Sequence, residues 1–146
     1  MMLIFTGSSD AGRLPPQVRA ELAAQDVLIL EEGLKGSITY RNHRAPGRYA
    51  ALDKSAIRAA LAITADRVVI ALSPTYKELD VPRSGPWTRV VAVRAERSDV
   101  VCFSWRVEAF HRDRSGTEEV RLRTLQAPRI AEILASSGPG AADQAP

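Results

Sequence analysis

The hydrophobic positions between residues 27 and 123 fall in short runs that are rich in Val, Ile, Leu and Ala. Glycine, proline or charged residues separate each run from the next. Short apolar runs bounded by turn residues are typical of β-strands. The predicted strands cover 27–30, 36–40, 57–64, 67–72, 87–93, 100–107 and 119–123, and Val81-Pro82 is at most a short edge piece because proline cannot donate to a ladder.

Two short connections between these runs predict hairpins. One turn lies at Ala65-Asp66, and the other lies within Glu96–Asp99. In the last run, Val120 and Leu122 alternate with charged residues, which indicates a strand with one buried and one exposed face. The pattern therefore favours consecutive antiparallel strands.

A helical pattern flanks the strands on each side. After Pro15, proline at position 16 suits a first helical turn, and Val18 and Leu22 follow one turn apart. We expect this short helix to cover one end of the core. A second helix is predicted over 128–136, followed by Gly138 as a stop signal. Its apolar positions repeat at helical spacing: Ala127, Ile130, Ala131 and Leu134.

The chain is predicted to form a single mainly β domain over residues 14–137. Residues 1–13 are small and polar and predict a flexible leader, and residues 138–146 lack large apolar side chains and predict a disordered tail. Seven or so antiparallel strands would hide most of their edges by closing into a barrel or a sandwich. The C-terminal helix would then cap the opening or cover a seam.

Composition narrows the class of protein. Cys102 is the single cysteine, so neither an intramolecular disulfide nor a thiolate zinc cluster is available. No apolar run is long enough to span a bilayer, and no secretory signal precedes the first strand. We therefore expect a cytoplasmic protein.

The net charge is +3, and 17 of the 20 basic residues are Arg. An Arg-rich surface could indicate anionic partners, but codon usage is the favoured explanation because +3 is a weak net charge for a chain of this length.

The segment from Ala60 to Ile70 resembles the hairpin of bacterial pleckstrin-homology-like and GRAM-type domains. In that hairpin an apolar strand ends in Thr, the turn contains Asp or Asn, and Arg opens the next strand. Here these positions are Thr64, Asp66 and Arg67. The order of strands followed by a helix, ending in 121–134, is also similar. The resemblance covers roughly residues 27–136 and implies a seven-stranded, partly open barrel that binds lipids, peptides or proteins and is not an enzyme.

The most basic stretch lies in 40–49, which holds no acidic residue before Asp53. We expect a polar loop at 41–49. In the resembled domains, the loop after the first strand is where basic side chains meet lipid phosphates. The resemblance thus implies an anion site, and Arg forks suit phosphate or carboxylate. A solvated loop with local ion pairs is the alternative. The candidate residues are Arg41, His43, Arg44, Arg48, Lys54 and Arg58.

No catalytic or metal signature stands out. Gly7 and Gly12 have the glycine spacing of a phosphate loop, but Arg13-Leu14 follows where Lys-Ser or Lys-Thr is required. His43 and His111 are isolated, so we expect no metal site. The apolar run around Cys102 indicates a core thiol rather than a nucleophile. We therefore assign no catalytic residue and no cofactor.

Two further groups of residues could form a binding surface. The aromatic residues Trp87, Phe103, Trp105 and Phe110 could stack nucleic-acid bases, yet Phe103 and Trp105 share one strand face with Val101, which favours core packing. A second basic patch could include Arg121, Arg123, Arg106, Arg112 and Arg114. Nearby glutamates predict that this face carries mixed charge instead.

These patterns favour a non-enzymatic binding module. Its expected partner is a protein or an anionic lipid headgroup, recognised through 41–49, and any membrane contact would be peripheral. A small enzyme or small-molecule-binding barrel is the alternative, and nucleic-acid binding is a further one that the pattern does not favour.

Overall fold

The computed structural model describes residues 12–73, 78–83 and 90–135. The predicted tail and nearly all of the predicted leader therefore lie outside the described residues, as does the first part of the predicted strand 87–93. The helices are α1 (Pro16–Leu22) and α2 (Ala127–Ala135). The strands are β1 (Val27–Ala45), β2 (Arg48–Thr64), β3 (Arg67–Ser73), β4 (Glu78–Pro82), β5 (Val91–Arg97), β6 (Val100–Arg106) and β7 (Ser115–Arg123).

The seven strands form one antiparallel sheet in the order β4-β3-β2-β1-β7-β6-β5, curved into an open half-barrel. The prediction of a mainly β fold with a short N-terminal helix and a C-terminal helix is confirmed. The hairpin turns at Ala65-Asp66 and within Glu96–Asp99 are also confirmed, and β4 lies at an edge of the sheet as its proline requires.

The predicted loop at 41–49 is wrong. β1 continues through these polar residues to Ala45, and β2 begins again at Arg48, so Pro46-Gly47 alone forms the turn. The reason is that β1 is a central strand: Arg41 pairs with Leu52 of β2 and with Thr117 of β7. Ladder hydrogen bonds on both sides hold an extended backbone whatever the side chains are, so a hydrophobic pattern does not reveal such a strand.

The core fills the concave, inner face of the half-barrel. Phe103 is fully buried at its centre, and α2 packs against this face through Ala127, Ile130 and Leu134. The strand residues that share the core are Ile29, Ile38, Ile57, Ala59, Leu61, Ile63, Val68, Ile70, Leu72, Val91, Val101, Val120 and Leu122. The alternation predicted for Val120 and Leu122 is confirmed.

The position predicted for α1 is wrong. The helix packs on the outer face of β2 and β3, where Val18 and Leu22 contact a surface of small residues that includes Ala60 and Ala62. Alanines let a helix approach the sheet closely. Both faces of this part of β2 are therefore buried, which explains why its sequence is continuously apolar rather than alternating.

We call the end of the β1–β2 hairpin, residues 40–55, the arm; its β1 strand stays paired with β7 as far as Arg44 opposite Ser115, whereas its β2 strand extends beyond β3. β3 pairs with β2 only from Ser73 opposite Arg58 onward, so no described strand covers β2 on that side from 48 to 57. None of the residues from 48 to 56 is buried. The large apolar side chain of Leu52 is 61% exposed.

Candidate anion-binding site

A row of basic residues crosses the outer face of the half-barrel. Lys35 of β1 pairs directly with Arg58 of β2. On the other side of β1, Gly36 pairs with Leu122, which brings Arg123 of β7 beside Lys35. Arg123 in turn pairs with Val100 of β6, and Val100 pairs with Arg97 of β5. We call Arg58, Lys35, Arg123 and Arg97 the basic row.

A cavity of about 560 Å³ opens beside the basic row, and we call it the basic pocket. Lys54 of the arm joins three members of the row in its wall. The pocket holds five cationic side chains and one carboxylate. Its lining residues are Lys35, Gly36, Ser37, Lys54, Glu96, Arg97, Val100, Arg121, Leu122 and Arg123.

The floor of the basic pocket depends on Gly36. A Cβ atom at this position would lie 2.1 Å from the carbonyl oxygen of Arg121. Glycine therefore lets the backbones of β1 and β7 approach closely at this point. The basic residues on the two strands are brought together by this contact.

An ion-pair network forms one wall of the pocket. Arg121 donates to both carboxylate oxygens of Glu96, from Nε at 2.8 Å and from Nη2 at 3.0 Å. Arg94 donates to the same carboxylate at 2.7 Å, and Arg121 also donates to Glu119 at 3.1 Å. Hydrogen bonds from Arg121 and then Arg94 lower the pKa of Glu96, and the bond to Glu96 is the main cause that raises the pKa of Arg121. Arg121 is thus neutralised and fixed in place.

The other cations of the pocket are not neutralised in this way. Lys35, Lys54, Arg97 and Arg123 are exposed, and no carboxylate of the described residues lies within ion-pair distance of any of them. Arg58, at the end of the row, donates to the carbonyl oxygen of Gly33 at 3.2 Å. Like charges directly opposite each other on neighbouring strands destabilise a sheet. A bound anion would remove this repulsion.

The sequence matches no protein-family model and no curated protein. The interpretation of the basic pocket therefore depends on its own geometry.

The structure separates the six residues predicted for the anion site. Lys54 lines the basic pocket and Arg58 ends the basic row. Arg41 is already engaged, because it donates to Glu119 at 3.1 Å. The other three lie near the end of the arm: His43 beside the Tyr40 ring at 4.9 Å, Arg44 over the Tyr49 ring at 4.5 Å, and Arg48 opposite Ala45. The six residues do not converge on one site.

Sequence reasoning missed Lys35 and Arg97, and it placed Arg123 on a face of mixed charge. That interpretation holds for two neighbours, since Arg121 pairs with Glu96 and Glu119, and Arg106 pairs with Glu108 at 2.8 Å. Arg123 differs because no carboxylate of the described residues lies within ion-pair distance of it. The signal that could have found the row is the strand register, which brings residues 35, 97 and 123 together.

The cysteine, the aromatic residues and His111 lie outside the basic pocket. Cys102 is fully buried beneath the ion-pair network, and burial raises the pKa of its thiol, as expected for a core residue. A cavity of about 240 Å³ at the arm end of the half-barrel is lined by Trp105, Phe110, His111 and four others.

The described residues hold no cluster of His, Cys, Asp and Glu suited to a metal ion. Neither α1 nor α2 has the length and hydrophobicity needed to cross a membrane.

Proposed function

We propose that this protein is a non-enzymatic binding module that holds an anionic lipid headgroup in the basic pocket. The observation that carries the proposal is the group of four exposed cations, Lys35, Lys54, Arg97 and Arg123, around one cavity without carboxylate partners among the described residues. Membrane contact of this kind is peripheral and reversible, and it would occur on the cytoplasmic surface.

The chemistry of the pocket suits phosphate. Arg97 and Arg123 offer planar forks that form bidentate hydrogen bonds with phosphate oxygens, whereas Lys35 and Lys54 act as point charges. The Arg121–Glu96 pair fixes one wall of the pocket, so conformational freedom would be lost mainly by the four exposed cations when a ligand binds.

Two features support a binding role over catalysis. The interior of the half-barrel is filled by Ile, Val, Leu and Phe side chains. The half-barrel with a C-terminal helix packed inside is also the architecture that the pleckstrin-homology-like resemblance implies, and members of that superfamily commonly bind lipids, peptides or proteins. We extend the resemblance to this chain as part of the proposal.

The cavity lined by Trp105 and Phe110 favours a second candidate function, the binding of a small apolar molecule. The two rings meet edge to face at 6.0 Å between centroids. At about 240 Å³ this cavity is smaller than most ligand pockets. It also holds no charge cluster comparable to that of the basic pocket, so the anion site is preferred.

Co-sedimentation with vesicles tests the proposal. We expect the wild-type protein to bind vesicles that contain phosphoinositide and not vesicles of phosphatidylcholine alone. The double variant Lys35→Ala/Arg123→Ala should lose this binding. The matched control, Arg112→Ala/Arg129→Ala, removes the same charge from exposed positions outside the pocket and should bind as the wild type does.

The result also distinguishes the alternatives. Soluble inositol phosphate should compete with the vesicles if the pocket binds the headgroup. Binding to an acidic peptide but not to vesicles would favour a protein partner. Binding to oligonucleotides that weakens steeply with salt would favour nucleic acid. The proposal is wrong if neither vesicle binds, or if both double variants behave alike.

A further inference from the structure

The arm carries an open β-strand edge. From residue 48 to residue 57, β2 pairs with β1 on one side and with no described strand on the other. An exposed edge of this length presents unpaired backbone groups that can form hydrogen bonds with another strand. Four of the ten side chains on this edge are small and leave room for the approach of another strand: Ala50, Ala51, Ser55 and Ala56.

Leu52 lies in the middle of this edge. Its side chain is 61% exposed, although it is large and apolar. Only two charged side chains, Asp53 and Lys54, lie between Tyr49 and Ile57. Arg48 adds a third charge at the outer end of the edge, so the stretch 49–52 is free of the charge with which exposed strands usually avoid pairing.

Symmetry restricts how two copies of this edge can pair. An antiparallel pair related by a two-fold axis keeps each face of the sheet on the same side, so odd residues oppose odd residues and even residues oppose even ones. Two registers use the whole free edge. One is centred on Leu52 and the other on Asp53.

Charge selects between the two registers. Centring on Asp53 places this carboxylate directly opposite its own copy, which is destabilising. Centring on Leu52 places the two leucines together, Asp53 opposite Ala51 and Lys54 opposite Ala50. No like charges then stand directly opposite each other in the paired edge.

The register centred on Leu52 also matches the length of the arm to the length of the free edge. With Leu52 at the centre, Arg58 of one copy comes opposite Pro46, at the turn of the other arm. Arg58 is where β3 begins to cover β2. Each arm therefore fills the free edge of the other and ends where the partner's β3 starts.

We propose that the protein forms a symmetric dimer by antiparallel pairing of residues 48–56 of β2 with the same residues of a second copy, with Leu52 at the centre. The two sheets would then join into one. Each copy contributes a single strand edge, so the surface area buried between the copies should be smaller than the standard interface of about 1,600 Å². We therefore expect a weak, reversible dimer with a dissociation constant in the micromolar range.

Sedimentation velocity over low to high micromolar concentrations tests this. The wild type should shift from monomer to dimer as the concentration rises. Leu52→Asp places two carboxylates opposite each other and should weaken the dimer by more than about ten-fold. Leu125→Asp is the matched control, because Leu125 is 87% exposed and lies outside the arm. It should dimerise as the wild type does.

Disulfide cross-linking tests the register independently. Leu52→Cys should form a disulfide between copies under mild oxidation. Ala50→Cys and Lys54→Cys should each fail alone, because identical positions would lie about 13 Å apart along the strands, but a mixture of the two should cross-link. Buried Cys102 can remain in place. A wild type that stays monomeric, or cross-linking that does not follow this pattern, overturns the proposal.

Discussion

Lys35 of β1 lies directly opposite Arg58 of β2, so two cations face each other across a ladder on the outer face of the sheet. Such a pair costs stability, by about 0.2–1 kcal/mol. Lys35 has no carboxylate partner among the described residues. A fold that keeps this repulsion trades stability for a positive surface, as functional sites often do.

Replacing Lys35 with Glu should therefore stabilise the protein while it weakens anion binding. We expect the melting temperature to rise by about 1–3 °C, because a repulsive pair becomes an attractive one. Thermal unfolding measures this effect, and Arg112→Glu is the control at an exposed position outside the row. An unchanged or lower melting temperature would show that repulsion between Lys35 and Arg58 does not destabilise the folded protein.

The carboxylate of Glu96 should make stability depend on acid pH. Hydrogen bonds from Arg121 and Arg94 lower its pKa from the ordinary value of 4.5 in the folded state. A lowered folded-state pKa contributes stability that is complete above the unfolded-state value and is lost as the pH falls through the folded-state value. The free energy of unfolding should thus decrease below about pH 4.5.

Urea unfolding between pH 7 and pH 3 measures this contribution. The variant Glu96→Gln should be less stable than the wild type at neutral pH and should lose less stability on acidification. The matched control is Glu132→Gln, which removes an exposed carboxylate of α2 and should leave the free energy of unfolding at neutral pH close to that of the wild type. Parallel profiles for wild type and Glu96→Gln would contradict the prediction.

Gly36→Ala should be among the most destabilising single substitutions in the sheet. The new methyl group would lie 2.1 Å from the carbonyl oxygen of Arg121, so β1 and β7 would have to separate. We expect a loss of about 3 kcal/mol, at the upper end of overpacking effects. Gly47→Ala should cost about 1 kcal/mol, because nothing lies within 4 Å of its Cβ position and the cost comes from a φ of 72° alone. Equal losses for the two variants would mean that the strands can adjust.

Cys102 should report global unfolding. The thiol is fully buried, and its pKa is raised by burial, so both access and thiolate formation are suppressed in the folded state. Alkylation followed by mass spectrometry should be slow in buffer and fast in denaturant, at a rate set by opening of the sheet. Rapid labelling of the native protein would show that the ion-pair network above Cys102 opens locally.

Elements whose side chains carry a clear pattern could be predicted from the sequence. The β2–β3 hairpin and α2 bury one or both faces, so their apolar residues recur at the spacing of the backbone. The arm could not be recognised, because its strands are polar or exposed on both faces. Their extended conformation comes from pairing with neighbours, which leaves no local signal.

The basic pocket could be predicted only in part, for a related reason. Grouping basic residues by nearness along the chain selected Lys54, which lines the pocket, and Arg58, which ends the basic row, but it also included Arg41, which is paired with Glu119. Lys35 and Arg123 are distant in sequence and adjacent in space. Recognising them as neighbours requires the pairing register of β1 with β7, which no property of one strand alone supplies.

The alternation of side chains along β2 determines on which side of the dimer the two basic pockets lie. Leu52 and Lys54 lie on the same outer face as the basic row, and a two-fold axis perpendicular to the sheet keeps both outer faces on one side. The paired molecule would therefore present two pockets to one surface at once. Once the first pocket is occupied, the second meets its ligand at a high effective concentration, so a weak single contact becomes firm attachment that varies steeply with protein concentration.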